Sequence, residues 1–506
     1  MRSLRPPTSS RRRFLGQLGA VSAGALLASR LRLHAATTPS PIPSDPLFTS
    51  AKRLAAMIRD RKISSVEAVK AHIARIEAVN PKLNAVVFPC FERALQEAKF
   101  ADEALAKGKV FGALHGVPCT IKDSHETKGV VSTGGTLGRK GFIPSRDATY
   151  VARVREAGAI VLGKTNTPEL TLSGQTTNLI YGKTQNPYKL GYQPGGSTGG
   201  GAAMIAAGGT PFDIGTDFGG SIRGPSHFCG IAGIKPQFGR VPRTGHIVDY
   251  GGYFDPFQVV GPMARWVEDL ELILPIIAGP DYLDAAILPM PWAEPSKVDL
   301  KAIKVAFYIE NGSERKCTPE TVAAMQKVVG LFRELGLDVV EDCPAALIKE
   351  SQEIRNALST ADGRAWVKRL LAKYGTTQVS PVISLTDQPR CDTAEFTRLA
   401  EAMDANRSRF LQWVQPYDLV ICPASWGPAE LWPDEPRAQD FGSKNFGYTG
   451  TYNNTGWPGT VVRAGTSPEG LPIGVQLITK PWREDVSLAA AYFVEAGTGG
   501  YQKPAI

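Results

Sequence analysis

Apolar residues recur at helical spacing soon after the start of the chain. Within residues 65–79 they occupy every third or fourth position, the period of one helix face, at Val66, Val69, Ile73 and Ile76. The overlapping run Ser64-Ser65-Val66-Glu67 has the serine and glutamate spacing of a capping box. A helix is therefore predicted to begin here and to end at Asn80-Pro81, and a second one is predicted over residues 91–107.

Short apolar runs typical of buried strands then alternate with helical patterns. Strands are predicted at residues 117–122, 160–163, 212–215, 305–309, 419–422 and 472–478. Helices are predicted at residues 149–157 and 202–207, from Thr318-Pro319 onward, and over most of 340–415. The alternation predicts an α/β protein with a largely parallel or mixed sheet, and residues 340–415 have the pattern of a cap inserted over it.

Positive charge is concentrated at the front of the chain. The formal net charge is +9, and residues 1–34 hold seven arginines and no acidic residue, so the remainder carries about +2. No basic tract or alternation of basic and aromatic residues follows, which argues against a nucleic-acid-binding protein. Hydrophobic residues make up 43% of the chain and charged residues 21%, values typical of a globular protein with a substantial core.

Residues 1–35 have the organisation of an export signal. A basic stretch precedes an apolar run rich in glycine and alanine from Phe14 to Ala28, and small residues follow at Ala35 and Ala36. The run of about 15 residues is shorter than the roughly 18 to 20 that cross a bilayer, and the stretch around Arg11-Arg12 resembles a bacterial twin-arginine signal. We expect transient contact with an export machinery, a periplasmic or secreted location, and a single domain over residues 36–506. A disordered basic tail is the alternative.

The cysteines and glycines do not form a cofactor motif. The seven cysteines lie between Cys90 and Cys422 without the spacing of a zinc site, and their odd number and wide scatter fit a disulfide framework poorly. The glycine-rich stretch between 195 and 239 lacks the Gly-Lys-Ser/Thr ending of a phosphate-binding loop. We expect neither a metal nor an organic cofactor.

Two serine motifs suggest other hydrolase classes. Residues 195–199 read Gly-Gly-Ser-Thr-Gly, which matches the nucleophile elbow of α/β-hydrolases. An elbow follows a strand, whereas residues 189–194 have the composition of a turn, and the histidines after Ser197, His227 and His246, come too early in the chain. The Ser-x-x-Lys motif at Ser313 lies in a polar stretch without the partner motifs of β-lactamases. Neither class is favoured.

With histidine scarce, a lysine is the available base, and Lys122 is placed for that role. It closes the predicted strand 117–122, where burial would disfavour the ammonium form and lower the pKa from about 10.4. A neutral lysine accepts a proton. By position alone, Lys122 also fits a lysine that reaches the surface or pairs with Asp123.

Three segments together resemble the amidase signature family. Residues 195–203 are similar to the glycine- and serine-rich opening of its signature, residues 215–225 read Gly-Thr-Asp-Phe-Gly-Gly-Ser-Ile-Arg-Gly-Pro, and residues 229–236 read Cys-Gly-Ile-Ala-Gly-Ile-Lys-Pro. The resemblance extends from about Ser50 through residues 163–169 to residues 470–476. It implies the amidase signature fold, a large mixed β-sheet core covered by helices on both faces.

The resemblance also implies a role for each site residue. In the implied Ser-Ser-Lys triad, Ser221 is the nucleophile, Ser197 the bridging serine and Lys122 the base. A cis peptide bond is implied before Ser197, and the chain has Thr198 where the family usually has a second serine. The implied oxyanion hole consists of the backbone N–H groups of Phe218, Gly219, Gly220 and Ser221, and the backbone from Thr171 to Ser173 is expected to line the opposite side. Asp217 and Arg223 are expected to pair and brace the loop.

The implied activity is hydrolysis of a carboxylic acid amide through an acyl-serine intermediate. The expected partner is a small-molecule or peptide amide, a small or hydrophobic acyl group is favoured, and a homodimer is compatible with the sequence. Tyr448, Tyr452 and Trp457 either line the substrate site or pack in the core. One alternative is an amidotransferase A-type subunit that hydrolyses glutamine, against which the export signal argues. The other is a noncatalytic amidase-like binding protein, against which the three retained triad residues argue.

Overall fold

A computed structural model of the protein describes residues 42–249, 252–385, 389–436 and 447–506. The predicted export signal at residues 1–35 lies outside these residues. The described strands are β1 (Val86–Pro89), β2 (Pro118–Lys122), β3 (Ile160–Thr165), β4 (Phe212–Asp217), β5 (Ala232–Lys235), β6 (Val259–Ala264), β7 (Val305–Phe307), β8 (Val339–Glu341), β9 (Leu419–Pro423), β10 (Gly459–Thr466) and β11 (Pro472–Thr479). The described α-helices are α1 (Ala51–Arg59), α2 (Ser65–Leu83), α3 (Phe91–Ala106), α4 (Thr149–Glu156), α5 (Gly199–Ala206), α6 (Arg223–Phe228), α7 (Val267–Ile277), α8 (Pro319–Glu334), α9 (Ala345–Thr360), α10 (Ala365–Lys373), α11 (Thr393–Val414), α12 (Gly450–Asn454) and α13 (Glu484–Thr498).

All of these strands belong to one mixed sheet, in the order β1-β3-β2-β4-β6-β5-β10-β11-β9-β7-β8. Strand β2 lies between β3 and β4 and is parallel to both, whereas β4 is antiparallel to β6. On the other side, β10 and β11 are antiparallel and β7 is parallel to β8 and β9. The predicted α/β class with a mixed sheet is confirmed.

Successive side chains of β3 enter two separate hydrophobic cores. Val161 packs in a core with α1, α4, α7, α8 and α13, while Ile160 and Leu162 pack in a core with α2, α3 and α5. Because neighbouring residues of a strand point to opposite faces, the two cores lie on opposite sides of the sheet. Helices therefore cover both faces, and β2, β3 and β4 are buried over their whole length.

The predicted capping box at the start of α2 is confirmed, but the predicted end of this helix is wrong. The Ser64 side chain accepts from the Glu67 N–H, and the Glu67 carboxylate accepts from the Ser64 N–H at 2.8 Å. The helix continues through Pro81 to Leu83. It ends at Asn84, which has a φ of 51° and whose side chain donates to the carbonyls of Tyr181 and Lys183, so a tertiary contact decides the boundary.

The predominantly helical segment predicted at 340–415 is confirmed as α9, α10 and α11, which lie between β8 and β9 in the chain. Helices α9 and α11 pack together, and the Asn406 side chain on α11 donates to the Leu347 carbonyl on α9. In the part of the chain that the structure describes, no helix combines the length and apolarity needed to span a membrane. All seven cysteines lie in this part, and none forms a disulfide.

Candidate active site

Lys122 is the last residue of β2, the third strand from one edge of the sheet. Its neighbours across the ladder are β3 and β4, and Lys122 itself is opposite Thr165. Because β2 and β4 are parallel, their carboxyl ends meet at one edge, which brings Lys122 beside Thr216 near the end of β4. The lysine side chain is fully buried.

Three hydroxyl groups surround the Lys122 amine. Its Nζ lies 2.7 Å from Ser197 Oγ, 2.9 Å from Thr216 Oγ1 and 3.1 Å from Thr198 Oγ1. The Asp123 carboxylate accepts from Thr133, and no described carboxylate forms an ion pair with Lys122. The alternatives of a surface lysine or a pair with Asp123 are therefore wrong.

Burial without a paired anion changes the ionisation of Lys122. Loss of hydration lowers the pKa of Lys122 to about 7, and the negative charges of Asp213 and Asp217 oppose only part of that effect. Asp213 lies in β4, where its Oδ2 accepts from the hydroxyls of Thr120 and Thr165, and burial raises its pKa to about 6. The amine is thus partly neutral near pH 7.

Ser197 lies in a tight turn immediately before α5. The peptide bond between Gly196 and Ser197 is cis, as the resemblance implied. A Cβ placed on Gly196 would come within 2.7 Å of the Gly174 carbonyl carbon and 3.0 Å of the Ser173 carbonyl oxygen, so only glycine permits this approach. The turn therefore rests directly on the segment that includes Ser173.

The geometry of this turn also excludes the α/β-hydrolase elbow. Residues 189–194 do not form a strand. Of the two histidines that follow, His227 is hydrogen-bonded to Gly474 and Gly427, while His246 is bonded to Val248. Neither imidazole contacts Ser197, so the histidine base that an elbow needs is not supplied by either of them.

Thr171 and Ser173 lie beside the Ser197 turn. Thr171 closes the 3₁₀ turn Glu169–Thr171, and both it and Leu170 have positive φ angles, of 62° and 50°. Ser173 Oγ accepts from the Gln175 N–H at 3.1 Å, which holds the chain as it passes Gly196. The structure thus brings the backbone of residues 171–173, which was predicted to line the site, next to the Ser197 turn.

The loop after β4 presents its carbonyl oxygens to donors from distant parts of the chain. Arg355 Nη2 on α9 donates to the Phe218 carbonyl at 2.6 Å. Thr449 Oγ1, immediately before α12, donates to the Gly219 carbonyl, also at 2.6 Å. The arginine and the threonine come from different segments of the chain, and both reach the same short loop.

Gly220 is held on both of its backbone groups. Its carbonyl accepts from the Gly224 N–H at 2.7 Å, and its N–H donates to Asp217 Oδ1 at 2.8 Å. Its φ of 127° favours glycine, and a Cβ there would meet Thr449 Oγ1 at 2.3 Å. The Gly220 N–H, which the resemblance placed in the oxyanion hole, is thus bound to a carboxylate in this structure. The predicted donors that do not bind Asp217 are the N–H groups of Phe218, Gly219 and Ser221.

The expected pair of Asp217 and Arg223 is present and fully buried. Arg223 Nη2 lies 2.9 Å from Asp217 Oδ1, and Nε lies 3.0 Å from Oδ2. Arg223 also donates to the side-chain oxygens of Gln476 and Asn453, and Asn453 donates to Asp217. Burial alone would raise the pKa of Asp217, but the charge and hydrogen bonds of Arg223 hold it below its usual range. The pair braces the loop and leaves Asp217 ionised.

Ser221 is half-buried and joins the turn through its backbone. The Thr198 N–H donates to the Ser221 carbonyl at 3.3 Å. Among the described contacts, the Ser221 hydroxyl is not hydrogen-bonded to Ser197. The structure therefore assembles Lys122 with Ser197 directly, and connects Ser221 to them through the main chain.

The sequence did not single out four residues of this site. Thr216 and Asp213 lie in β4, where a buried hydroxyl and a buried carboxylate within an apolar pattern were available signals. Arg355 and Thr449 carried no local signal. Three aromatic residues that the sequence offered as a lining of the substrate site are instead part of a hydrophobic core. They are Tyr448, Tyr452 and Trp457, which are buried together with Tyr308.

Comparison with known proteins identifies the family of this chain. The sequence profile of the family described as Amidase matches residues 67–488. Fatty-acid amide hydrolase 2 of Homo sapiens is 31% identical over 505 residues, with 93% of this chain and 93% of that protein covered. The A-type subunit of glutamyl-tRNA(Gln) amidotransferase from Moorella thermoacetica is 34% identical over 482 residues, with 89% of this chain and 97% of that protein covered.

A solved structure of fatty acid amide hydrolase superposes with a TM-score of 0.81 at 25% identity, covering 91% of this chain and 86% of that one. The family profile, relatives above 30% identity along almost the whole chain, and the shared fold all agree with the resemblance drawn from the sequence. This protein is a hydrolase of the amidase signature family.

Proposed function

We propose that the protein hydrolyses a carboxylic acid amide to the acid and an amine or ammonia, with Ser221 as the nucleophile of an acyl-serine intermediate. The observation that carries the proposal is the contact between Lys122 Nζ and Ser197 Oγ at 2.7 Å. A buried amine with a pKa of about 7 that touches a serine hydroxyl is a base suited to neutral pH. Ser197 then links this base to the nucleophile.

In acylation, Ser221 Oγ attacks the amide carbonyl carbon, and the π electrons of the C=O bond move to its oxygen. The Ser221 proton passes to Ser197, which gives its own proton to neutral Lys122. The C–N bond then breaks, and the proton returns through Ser197 to the leaving nitrogen. Water repeats the sequence on the acyl-enzyme and releases the acid. The relay requires Ser221 Oγ to approach Ser197 Oγ when substrate binds, a tightening common to catalytic hydrogen bonds.

The negative oxygen of the tetrahedral intermediate needs donors held in place before the reaction. Backbone N–H groups of Gly219 and Ser221 suit that role, because neither is bound to Asp217. A preorganised donor of this kind contributes about 3 to 4 kcal/mol to catalysis. Glycine suits this loop because a Cβ on Gly219 would lie 3.1 Å from Arg355 Nη2, and one on Gly220 would meet Thr449 Oγ1 at 2.3 Å.

A hydrophobic or aryl acyl group is the substrate class that the surroundings of the loop support. Phe218 in the loop packs against Phe254 with ring centroids 6.5 Å apart, and Phe254 packs against Trp366 at 5.4 Å. All three rings are only partly buried, so they form a continuous aromatic surface that starts at the loop. Such a surface favours an apolar acyl group through burial of its hydrocarbon.

A second candidate is the glutamine-hydrolysing component of an amidotransferase. The 34% identity to the A-type subunit of glutamyl-tRNA(Gln) amidotransferase favours it. The two functions differ in what the isolated chain does. An amide hydrolase turns over a fatty-acyl or aryl amide without a partner or ATP, whereas the amidotransferase component would release ammonia from glutamine and leave acyl anilides intact.

The test combines covalent labelling with turnover. A fluorophosphonate probe should label the peptide that contains Ser221, and the label should vanish in Ser221→Ala. In folded Ser197→Ala labelling should be slower, because the relay is broken, but should still fall on the Ser221 peptide. The purified protein should hydrolyse a fatty-acyl p-nitroanilide. Label on Ser197 in the parent protein would contradict the proposal. So would a protein that hydrolyses glutamine but not the fatty-acyl p-nitroanilide.

We also propose that residues 1–35 direct export by the twin-arginine route, so that the mature protein works in the periplasm or outside the cell. The paired Arg11 and Arg12, followed by an apolar run and small residues, support this proposal. Export of a folded protein suits a chain whose site is assembled from β2, β4 and helices hundreds of residues away.

A further inference from the structure

Two side chains outside the signature segments hold consecutive carbonyls of the loop that follows β4. Arg355 reaches from α9, and Thr449 lies just before α12. The bonds to the Phe218 and Gly219 carbonyls are both 2.6 Å, near the short end for charge-assisted and hydroxyl donors. The guanidinium also packs on the loop, since a Cβ on Gly219 would lie 3.1 Å from Arg355 Nη2.

The planarity of the peptide bond converts these contacts into an orientation of N–H groups. In a trans peptide unit the C=O of one residue points opposite to the N–H of the next. Holding the Phe218 carbonyl towards Arg355 therefore turns the Gly219 N–H to the other side of the loop. Holding the Gly219 carbonyl towards Thr449 fixes the Gly220 N–H on Asp217, where it is observed.

The loop needs external donors because its own residues resist rotation poorly. Gly219 and Gly220 lack side chains, so the peptide unit between Phe218 and Gly219 has few steric barriers to turning over. Asp217 holds the N–H groups of Gly220 and Ile222 but not that of Gly219. The orientation of the Gly219 N–H thus depends on what binds the preceding carbonyl.

Arg355 is tied to its position by several contacts that do not neutralise its charge. Its Nη1 donates to the Gly450 carbonyl and to Asn454 Oδ1, each at 3.2 Å, and its guanidinium lies over the rings of Phe218 and Phe257. None of the described ion pairs involves Arg355. A cation held in this way beside the loop also raises the electrostatic potential where negative charge would develop.

We propose that Arg355 and Thr449 are positioning residues for the oxyanion hole. Arg355 aims the Gly219 N–H by holding the Phe218 carbonyl, and Thr449 fixes the next peptide unit by holding the Gly219 carbonyl, so that the loop cannot turn over on either side of Gly219. The proposal rests on the amide hydrolysis proposed above. It makes α9 a working part of the site, because this helix supplies one of the two donors. A loop of glycines is thereby ordered by side chains 137 and 230 positions away.

The test compares Arg355→Gln with Arg407→Gln in the full chain. Arg407 is a matched control. Both arginines donate to Asn454, Arg355 to its side-chain Oδ1 and Arg407 to its backbone carbonyl, and both lie 5.5 Å over the Phe257 ring, but Arg407 does not contact the loop. With a fatty-acyl p-nitroanilide, kcat of Arg355→Gln should fall on the order of 100-fold, the size expected for a small misplacement of a catalytic donor. KM should change less than about threefold, because the lost interaction is made in the transition state.

The affinity for octylboronic acid tests the oxyanion hole directly, because it would not change if Arg355 only stabilised the fold. Its tetrahedral adduct with serine places an oxygen in the oxyanion hole, so its affinity should fall in parallel with kcat, while octanoate affinity stays unchanged. Millimolar guanidinium should restore part of kcat in Arg355→Gln, and Arg355→Lys should be intermediate. Thr449→Val should show the same pattern as Arg355→Gln, and Thr449→Ser should match the parent.

Two results would overturn the proposal. One is that folded Arg355→Gln and Thr449→Val keep the kcat and the boronate affinity of the parent. The other is that Arg407→Gln loses as much kcat and boronate affinity as Arg355→Gln. If circular dichroism shows that Arg355→Gln does not fold, the comparison of Thr449→Val with Thr449→Ser decides. The Thr449 hydroxyl lies at the surface, so its replacement leaves the core intact. If the parent protein hydrolyses no amide, the proposed function is wrong. If the parent is active and the variants behave like it, only the positioning role is wrong.

Discussion

Lys122 Nζ and Ser197 Oγ lie 2.7 Å apart in the interior, although 75 residues separate them in the chain. The lysine reaches this position because β2 ends there, and the serine because the turn before α5 passes over the end of the same strand. Two threonine hydroxyls complete the environment of the amine. A lysine whose partners are hydroxyls keeps its ability to accept a proton, whereas one paired with a carboxylate would be held as ammonium.

The ionisation of Lys122 predicts how activity depends on pH. Its pKa is lowered to about 7, and only the neutral amine accepts the Ser197 proton. The value of kcat/KM for an amide should therefore rise about tenfold for each pH unit below pH 7 and level off above it. Stopped assays with a fatty-acyl amide between pH 5 and 9 measure this profile.

Two variants test whether Lys122 is the group responsible. Lys122→Arg should be almost inactive at every pH, because a guanidinium stays protonated. Lys235 is a matched control, since burial also lowers its pKa to about 7 while its amine donates to the carbonyls of Pro236 and Gly456. Lys235→Met should keep the midpoint of the parent. Amide turnover by Lys122→Arg at close to the parent rate would leave Lys122 a structural cation.

Thr216 is predicted to tune the base. Its hydroxyl lies 2.9 Å from Lys122 Nζ and accepts from the ammonium form, so its removal disfavours that form. In Thr216→Val the midpoint of the kcat/KM profile should move about one pH unit below that of the parent, consistent with the loss of one hydrogen bond to a charge. Thr216→Ser, which keeps the hydroxyl, should have the same midpoint as the parent. A midpoint that rises or stays fixed in the valine variant would rule this role out.

The buried pair of Asp217 and Arg223 is predicted to be essential for the loop. Arg223→Met leaves Asp217 buried without its cation, which should lower the free energy of unfolding by about 3 to 5 kcal/mol. Asp217→Asn combined with Arg223→Met should be less destabilised than Arg223→Met alone, because the uncompensated charge is removed. Urea denaturation followed by circular dichroism measures both. Strictly additive losses in the double variant would show that the two residues are not coupled.

Export is predicted to depend on the paired arginines of the leader. Replacing Arg11 and Arg12 with lysine should leave the precursor in the cytoplasm, because the twin-arginine signal is read by a receptor that requires the pair. The same exchange at Arg2 and Arg5 conserves charge outside the motif and should leave export unchanged. Cell fractionation with an antibody to the protein distinguishes the two. Periplasmic delivery of the Arg11 and Arg12 variant would contradict the prediction.

Local pattern in the sequence was enough to predict much of the framework. The pattern of apolar residues located several helices and six of the strands, β2, β3, β4, β7, β9 and β11, and the capping box located the start of α2, because each depends on neighbours within a few positions. It did not locate β5, β6 and β10, which lie in the middle of the sheet. The run of apolar residues that ends in Lys122 indicated a buried lysine. The signature segments placed Ser197 and Ser221, and the close approach of Gly196 to Ser173 and Gly174 explains why glycine is required in one of them.

The tertiary structure decided what surrounds those residues. Thr216 joins the lysine only because β2 and β4 are parallel neighbours, and Arg355 and Thr449 reach the loop from segments 137 and 230 residues away. The Gly220 N–H binds Asp217, and Tyr448, Tyr452 and Trp457 enter a core, as a result of packing that no short stretch encodes. A sequence records which side chains prefer burial and which backbone positions need glycine. It does not record which distant donor each buried group meets, because that depends on how the elements pack.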